Sequence, residues 1–527
     1  MFDKTHHEAL WFKLHQNGIS SKLIKLIRNM YQKMKLCVKS SFEESSFEKC
    51  PCKELDVDLY LTNICNSCCV NDKSCNESFM FSPTAGVFQG ESLSPFLFSM
   101  FLNDINDCMK NDPNLGISIY QFYIVLILFA DDMVLVSDNR FGLQRGLDKL
   151  HSYCSDWGLE VNVEKTKCMS FKKGGKIHSL DRWTFNGSVL ETVDKFKYLG
   201  FMFGSSGKFK TGIENLALRG EKAYFDMTSS TKHFFDMQLK MKLDLFDSLV
   251  KSVLCYACEL WGFSEAKSHD TVYLRFLKHS LCVRKTTPTC FIYRELMICP
   301  LYVTRILRII KYWLKIINLD DHSPVKILYH TALELNEKDD THTASFWIDN
   351  VKNTLYKYGF GYVWENQKYA NDFDFFNVFK LRLMDTFHQE NNGRINELSK
   401  NRLYRHLDSS SSFYLFDLPN DFIRIALTKL RLGSHYFMIE RGRWKNLEYV
   451  DRICFQCNEI EDEYHIVICC KKYVELRKKY LPKYLYQKPS MYKFVEFLNS
   501  QNLSMLKKLG LFMHHIYRIY EKNELFI

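Results

Sequence analysis

Two short stretches of this chain gather side chains that could do chemistry. In Leu128-Phe129-Ala130-Asp131-Asp132-Met133-Val134-Leu135-Val136, two adjacent carboxylates interrupt apolar, β-favouring sequence. Neighbouring anions repel unless a cation lies between them, and a hard divalent ion such as Mg²⁺ suits oxygen donors of this kind. Taken alone, the pair is better explained as ordinary turn chemistry, because Asp is common at hairpin tips. The second stretch is Cys454-Phe455-Gln456-Cys457, followed by His465 and by Cys469-Cys470. Its spacing, Cys-x2-Cys-x7-His-x3-Cys, offers Zn²⁺ two thiolates from one turn, an imidazole and a third sulfur. Cys454, Cys457, His465 and Cys469 are the expected ligands, with Cys470 competing for the fourth place. The alternative is a set of buried cysteines beneath a helix over 473–480.

These groups need elements to position them. The apolar runs 123–129 and 133–136 predict a buried hairpin with a largely dry base under Asp131 and Asp132. Upstream, Leu10, Leu14, Leu23, Ile27, Met30 and Tyr31 recur at three- and four-residue steps. That predicts helices over 8–34, broken at Gly18, and then a strand over 35–42. Residues 43–83 change character: Cys50, Cys52, Cys65, Cys68, Cys69 and Cys75 crowd a segment of weak periodicity. It reads as an insertion without its own function in preference to a small zinc site, because the spacing fits no regular finger. Gly86 to Pro95 forms a glycine-bearing loop ahead of an apolar helix, which could admit a nucleic-acid backbone or be a plain helix start. After the hairpin come an amphipathic helix over 143–157, a polar stretch over 158–167, and strands over 168–171 and 196–203. Together, residues 84–205 have the pattern of an α+β layer. Lysines punctuate helical periodicity from Gly207 onward, one long helix is expected over 239–260, and residues 266–445 and 486–527 read as mostly helical.

The totals bound the function. At 527 residues the chain has room for two to four domains. A hydrophobic share of 46% excludes wholesale disorder. The net charge of +10 is compatible with a polyanionic partner. The start has no signal-peptide character, and no run reaches the ~20 apolar residues that a membrane span needs. The expectation is an intracellular protein, nuclear or cytoplasmic, with no membrane partner. Its 19 Cys are then thiols or metal ligands in preference to disulfides.

In order along the chain, these segments resemble the reverse transcriptase of non-LTR (LINE-type) retrotransposons. Phe2-Asp3-Lys4 with His7 and Leu10 resembles the tail of the first palm motif. Gly86 to Phe98 resembles the second, with Gln89-Gly90 and Leu93-Ser94-Pro95. Phe129-Ala130-Asp131-Asp132 resembles the catalytic hairpin. Gly158 to Lys167 resembles the fourth motif, and Phe196 to Gly200 the primer-gripping turn. Residues 246–262 resemble the thumb that follows, and Cys454 to Cys469 the zinc-knuckle-like end. The resemblance implies an α+β fold: a partial palm of antiparallel sheet and packing helices over 1–42 and 84–205, a helical thumb over 206–265, a helical region, and a knuckle over 446–485. It implies a polymerase that extends a DNA primer on an RNA template with deoxynucleoside triphosphates and Mg²⁺ or Mn²⁺. Asp131 would be the main metal-binding carboxylate, assisted by Asp132. Gln89 and Gly90, with Phe88, would meet template and nucleotide. Lys165 or Lys167 would neutralise the leaving group, and Tyr198, Leu199 and Gly200 would hold the primer end. Zn²⁺ would occupy the terminal cluster.

Some features depart from the family's pattern. Its first catalytic Asp falls before Met1, no fingers or endonuclease domain is seen, and Phe88 stands where a basic residue is usual. The expectation is therefore a truncated polymerase, impaired or inactive. The alternative is a remnant that binds nucleic acid through the basic thumb and zinc tail.

Overall fold

The computed structural model describes residues 5–33, 36–37, 80–81, 85–88, 91–110, 115–119, 122–172, 181–231, 237–338, 346–371, 374–408, 412–418 and 420–524. The cysteines of segment 43–83, Phe2, Asp3, Lys4, Gln89 and Gly90 lie outside the described residues. The chain divides into two compact units, Met1–Phe196 and Lys197–Ile527.

The first unit is a mixed α/β layer. Helices α1 (His7–Gln16) and α2 (Ser21–Lys33) meet at Gly18, whose φ of 79° suits a residue without a Cβ. Strands β1 (Leu36–Cys37) and β2 (Met80–Phe81) pair antiparallel, so residues 38–79 connect two partnered strands. Helices α3 (Ser94–Phe101) and α4 (Ile105–Lys110) follow, then the hairpin β3 (Ile117–Ile119) and β4 (Phe122–Ile124). The next hairpin, β5 (Leu126–Phe129) and β6 (Asp132–Leu135), carries the paired aspartates. Expected as one run over 123–129, the apolar sequence is divided at Val125 between two hairpins. Helix α5 (Arg140–Asp156) begins at Asn139, whose side chain accepts the Gly142 N–H at 2.7 Å, an N-cap. Strands β7 (Lys167–Cys168), β8 (Trp183–Phe185) and β9 (Ser188–Thr192) form a sheet in the order β7-β9-β8, with β7 parallel to β9.

Leu10, Leu14, Phe98, Phe101, Ile105, Leu147 and Leu150 share one core with Val125, Leu126 and Trp183. Lys13 is buried in it at 1% exposure. Its ammonium donates to the Phe101 carbonyl at 2.7 Å, Asp104 Oδ1 at 2.7 Å and the Tyr153 hydroxyl at 2.6 Å, and lies 3.7 Å from the Trp157 ring centre. Burial pulls the Lys13 pKa down while Asp104 pushes it back up. This ion ties α1, the turn after α3, and α5. Helix α5 in turn presses on the aspartate hairpin: a Cβ at Gly146 would stand 2.9 Å from Leu135 Cδ2. A side chain there would make Leu135 shift, so glycine lets the helix and the strand approach without that adjustment.

Among its described residues the second unit is helical apart from the hairpin β10 (Lys195–Tyr198) and β11 (Phe201–Gly204), whose first two residues belong to the first unit, and an isolated bridge between Ile453 and Ile460. Residues 196–203, expected as one strand, turn back at Leu199 (φ 44°) and Gly200 (φ 81°). The single helix expected over 239–260 is broken. Helix Leu239–Phe246 runs into a π-helical segment, Asp247–Lys251, and the chain then turns at Ala257, where φ is 51°. Apolar periodicity persists through such a turn, which is why the break was invisible in sequence. The helices over 266–445 and 486–527 are present as expected, among them Leu301–Ile317, Phe375–Glu397 and Leu503–Glu524. Deep in this unit, Arg431 Nε donates to Glu295 Oε1 at 2.6 Å, and the Tyr404 and Tyr414 hydroxyls donate to the same carboxylate. A buried ion pair needs such satisfaction of its remaining oxygens. Among the described residues, no helix is long and apolar enough to cross a membrane.

Candidate active site and metal centre

The aspartates stand on a tight turn. Register pairs run Leu126↔Leu135, Ile127↔Val134, Leu128↔Met133 and Phe129↔Asp132, leaving Ala130 and Asp131 as the two loop residues. Ala130 has φ 52°, a left-handed conformation that costs an L-residue about 1 kcal/mol and is held by the strand pairing around it. Alternation sends Leu126, Leu128, Met133 and Leu135 inward to the core. It leaves Ile127 and Phe129 46% and 61% exposed on the other face, where Asp132 also lies. The expected dry base is thus dry on one face only. A continuous apolar run does not say whether one face or both are covered. Asp131 and Asp132 are both exposed. Among the described residues no third Asp, Glu, His or Cys joins them in a cluster. As donors they fit a hard divalent cation in kind, with water and substrate phosphates supplying the remaining oxygens.

The other expected contacts are mixed. Gly86 (φ 91°) donates its N–H to the Thr5 carbonyl at 2.8 Å, and His7 Nε2 bonds the Gly86 carbonyl at 2.9 Å. Phe88 is 8% exposed, with its ring 4.7 Å from that of Tyr31. Phe88 is thus packed into the core of the first unit. In the polar stretch after α5, the Asn162 side chain accepts the Lys165 N–H at 3.0 Å and its carbonyl accepts the Thr166 hydroxyl at 2.8 Å. Lys165 is exposed. Lys167 is engaged with Glu191 at 2.6 Å. No hydrogen bond or ion pair among the described residues joins Lys165 to Asp131 or Asp132. In the second unit, the Tyr256 hydroxyl donates to the Leu199 carbonyl and Arg219 donates to the Gly200 carbonyl at 2.8 Å. Tyr198, Leu199 and Gly200 thus form a turn clamped from behind.

The thiol cluster is more complete. The ligand atoms of Cys454, Cys457, His465 and Cys470 lie within 4.8 Å of one another. Cys470 Sγ is 3.9 Å from Cys454 Sγ and 3.9 Å from Cys457 Sγ. Tetrahedral Zn–S bonds of about 2.3 Å would put sulfurs roughly 3.8 Å apart. His465 Nδ1 bonds Glu459 Oε2 at 3.0 Å, while its Nε2 is buried without a partner. A carboxylate fixing one imidazole nitrogen while the other is left for a metal is the usual arrangement around zinc. Burial and the sulfurs of Cys454 and Cys457 push the Cys470 thiol up to about 12. The donor set fits Zn²⁺, with Cys470 and not Cys469 as the fourth member. The reason is local: His465–Cys469 is π-helical, and Cys470 N–H bonds the His465 carbonyl at 2.7 Å. In a π turn the residue five places on, not four, comes round to the same side. Cys469 pairs instead with Tyr464.

Residues 1–203 match the family described as "Reverse transcriptase (RNA-dependent DNA polymerase)". They form a reverse transcriptase domain. The chain is similar to the "Retrovirus-related Pol polyprotein from type-1 retrotransposable element R2" of Popillia japonica, 31% identical over 138 residues, 25% of this chain and 19% of that protein. It is similar to the "RNA-directed DNA polymerase from mobile element jockey" of Drosophila melanogaster, 25% identical over 193 residues, 35% of this chain and 20% of that protein. The R2DM polyprotein of Drosophila melanogaster is 29% identical over 137 residues, 25% of this chain and 13% of that protein. The chain spans no more than about a fifth of the length of these three relatives.

Within the reverse transcriptase domain, sequence reasoning missed Lys13. A lysine inside an amphipathic helix gives no sign of burial until Asp104 and Tyr153 are brought to it. Glu459 was missed too; its only trace was a carboxylate six positions ahead of the histidine.

Proposed function

We propose that this chain is an RNA-directed DNA polymerase of the non-LTR retrotransposon type. In this reading residues 1–42 and 84–205 are palm, 206–265 thumb and 446–485 a zinc-holding segment. The observation that carries it is the exposed Asp131-Asp132 turn on a strand pair locked by α5, inside a reverse transcriptase domain. Asp131 and Asp132 would hold Mg²⁺ or Mn²⁺ through their carboxylate oxygens. A divalent ion there supplies charge neutralisation on the triphosphate and a lowered pKa for the attacking primer hydroxyl. Asp131 stands at the apex, so its oxygens are free to turn toward substrate. Asp132 sits one residue into β6 and is fixed by its pairing with Phe129. Lys165, solvent-facing on an Asn162-held turn, would meet the developing negative charge of the leaving group. Gln89 and Gly90 would lie along template and nucleotide, and Tyr198, Leu199 and Gly200 along the primer. RNA template, DNA primer and deoxynucleoside triphosphates are the implied partners.

A second reading has one observation behind it: among the described residues no third carboxylate meets the aspartate pair. On that reading the chain binds nucleic acid without polymerising. Primer extension by the purified chain on an RNA template with Mg²⁺, run beside a filter-binding assay, separates the two. Incorporation supports the first. Salt-dependent binding without incorporation supports the second.

A further inference from the structure

Helix α2 carries more apolar surface than the core of its unit uses. Ile24, Ile27 and Tyr31 are buried, and at 3.6 residues per turn they span roughly 60° of the helix. Leu23, Leu26 and Met30 fill an arc of roughly 60° beside them, yet they are 45%, 57% and 49% exposed. Single exposed apolar residues are ordinary, whereas a contiguous row on one face marks a contact surface. On the same helix geometry Lys22 and Lys33 border that row, one at each end of α2, and both are exposed. Arg28 is committed to Glu8 at 2.6 Å. Among the described residues no ion pair engages Lys22 or Lys33. The uncovered face is thus apolar with cationic ends.

The matching chemistry stands in the chain's own sequence. Residues 43–64 hold six carboxylates against two lysines, and Glu54, Asp56 and Asp58 alternate there with Leu55, Val57 and Leu59. This stretch lies outside the described residues, within the connection between the paired strands β1 and β2. We propose that residues 43–64 dock on the exposed face of α2, with apolar side chains on Leu23, Leu26 and Met30 and carboxylates beside Lys22 and Lys33. Reach permits it. Helix α2, with 13 residues, is about 20 Å long, and the chain from Cys37 to Glu54 can extend over about 55 Å. Because β1 and β2 anchor both ends in the first unit, docking is intramolecular, and contacts too weak to hold a free partner suffice. Carboxylates within a Debye length of about 8 Å of the lysines contribute whichever way they point. A second copy of the chain fits the face less well, because a two-fold contact would set these lysines against themselves. Nucleic acid would use the lysines and leave the leucines in water.

The test uses the full chain and brief hydroxyl-radical labelling, with Met30 read by peptide mass spectrometry against Met491, which is 45% exposed in the second unit. The triple variant Glu54→Lys, Asp56→Lys, Asp58→Lys should label Met30 roughly 3- to 10-fold faster than the unmutated chain, with Met491 unchanged. Lys22→Glu with Lys33→Glu should do the same. Combining the two sets exchanges the charges across the contact and should restore slow labelling. Carbodiimide condensation in a mixture of light and heavy-isotope chains should join Lys22 or Lys33 to Glu54, Asp56 or Asp58 of the same chain. Equal Met30 labelling in the unmutated and triple-variant chains, or fast labelling in the combined variant, would overturn the docking. Cross-links found only between light and heavy chains would overturn it in favour of a contact between copies. Protection of Met30 that arises only on adding an oligoribonucleotide would overturn it in favour of nucleic acid.

Discussion

The aspartate hairpin of the first unit and the thiol cluster of the second solve opposite problems. Asp131 and Asp132 are hard oxygen donors held out in solvent, and under the proposed function substrate and water would complete a cation's shell. Cys454, Cys457, His465 and Cys470 are soft donors converging from a single short segment, with three of the four buried. A transient metal shared with substrate needs the first arrangement; a metal that holds a fold together needs the second. Each unit also has a buried polar tie. In the first, it is the Lys13 ammonium among Asp104, Tyr153 and Phe101. In the second, it is the Glu295 carboxylate among Arg431, Tyr404 and Tyr414.

Three perturbations sharpen this contrast. Lys13→Ala removes the buried ammonium's hydrogen bonds and its packing against Trp157 while Asp104, 43% exposed, keeps the Tyr153 hydroxyl, and should cost the first unit about 2–3 kcal/mol. Chemical denaturation read by circular dichroism checks it, and a loss under 1 kcal/mol would mean that the ammonium is not structurally needed. Cys470→Ser should lower zinc affinity by roughly 100-fold or more, whereas Cys469→Ser should leave bound zinc unchanged. Metal content after gel filtration distinguishes them, and the reverse pattern would restore the spacing read from sequence. Ala130→Gly is the smallest: relief of the left-handed backbone should stabilise the first unit by up to about 1 kcal/mol. A destabilised variant would show that Ala130 is held by contacts more valuable than its strain.

How much was legible before the structure follows the same divide. Adjacent aspartates between apolar runs were enough to place a hairpin, because strand alternation and turn chemistry are local. Local signals could not tell that Ile127 and Phe129 face out, since coverage of a sheet face is decided by elements far away in sequence. Nor could they tell that Phe88 is buried, because α2, far away in sequence, brings Tyr31 against it. The cysteine spacing pointed to a metal centre, but choosing between Cys469 and Cys470 required the helical pitch after His465, which sequence leaves open. The helix expected over 239–260 failed for the same reason: apolar spacing survives both a π segment and the left-handed turn at Ala257.

The central claim is that Asp131 holds the cation for nucleotidyl transfer. Primer extension on an RNA template should fall by on the order of 10²–10³ in Asp131→Asn, and Asp138→Asn, an exposed acid beyond the hairpin, should leave it unchanged. Extension that survives Asp131→Asn at the unmutated rate, or is lost equally in both variants, would contradict the account.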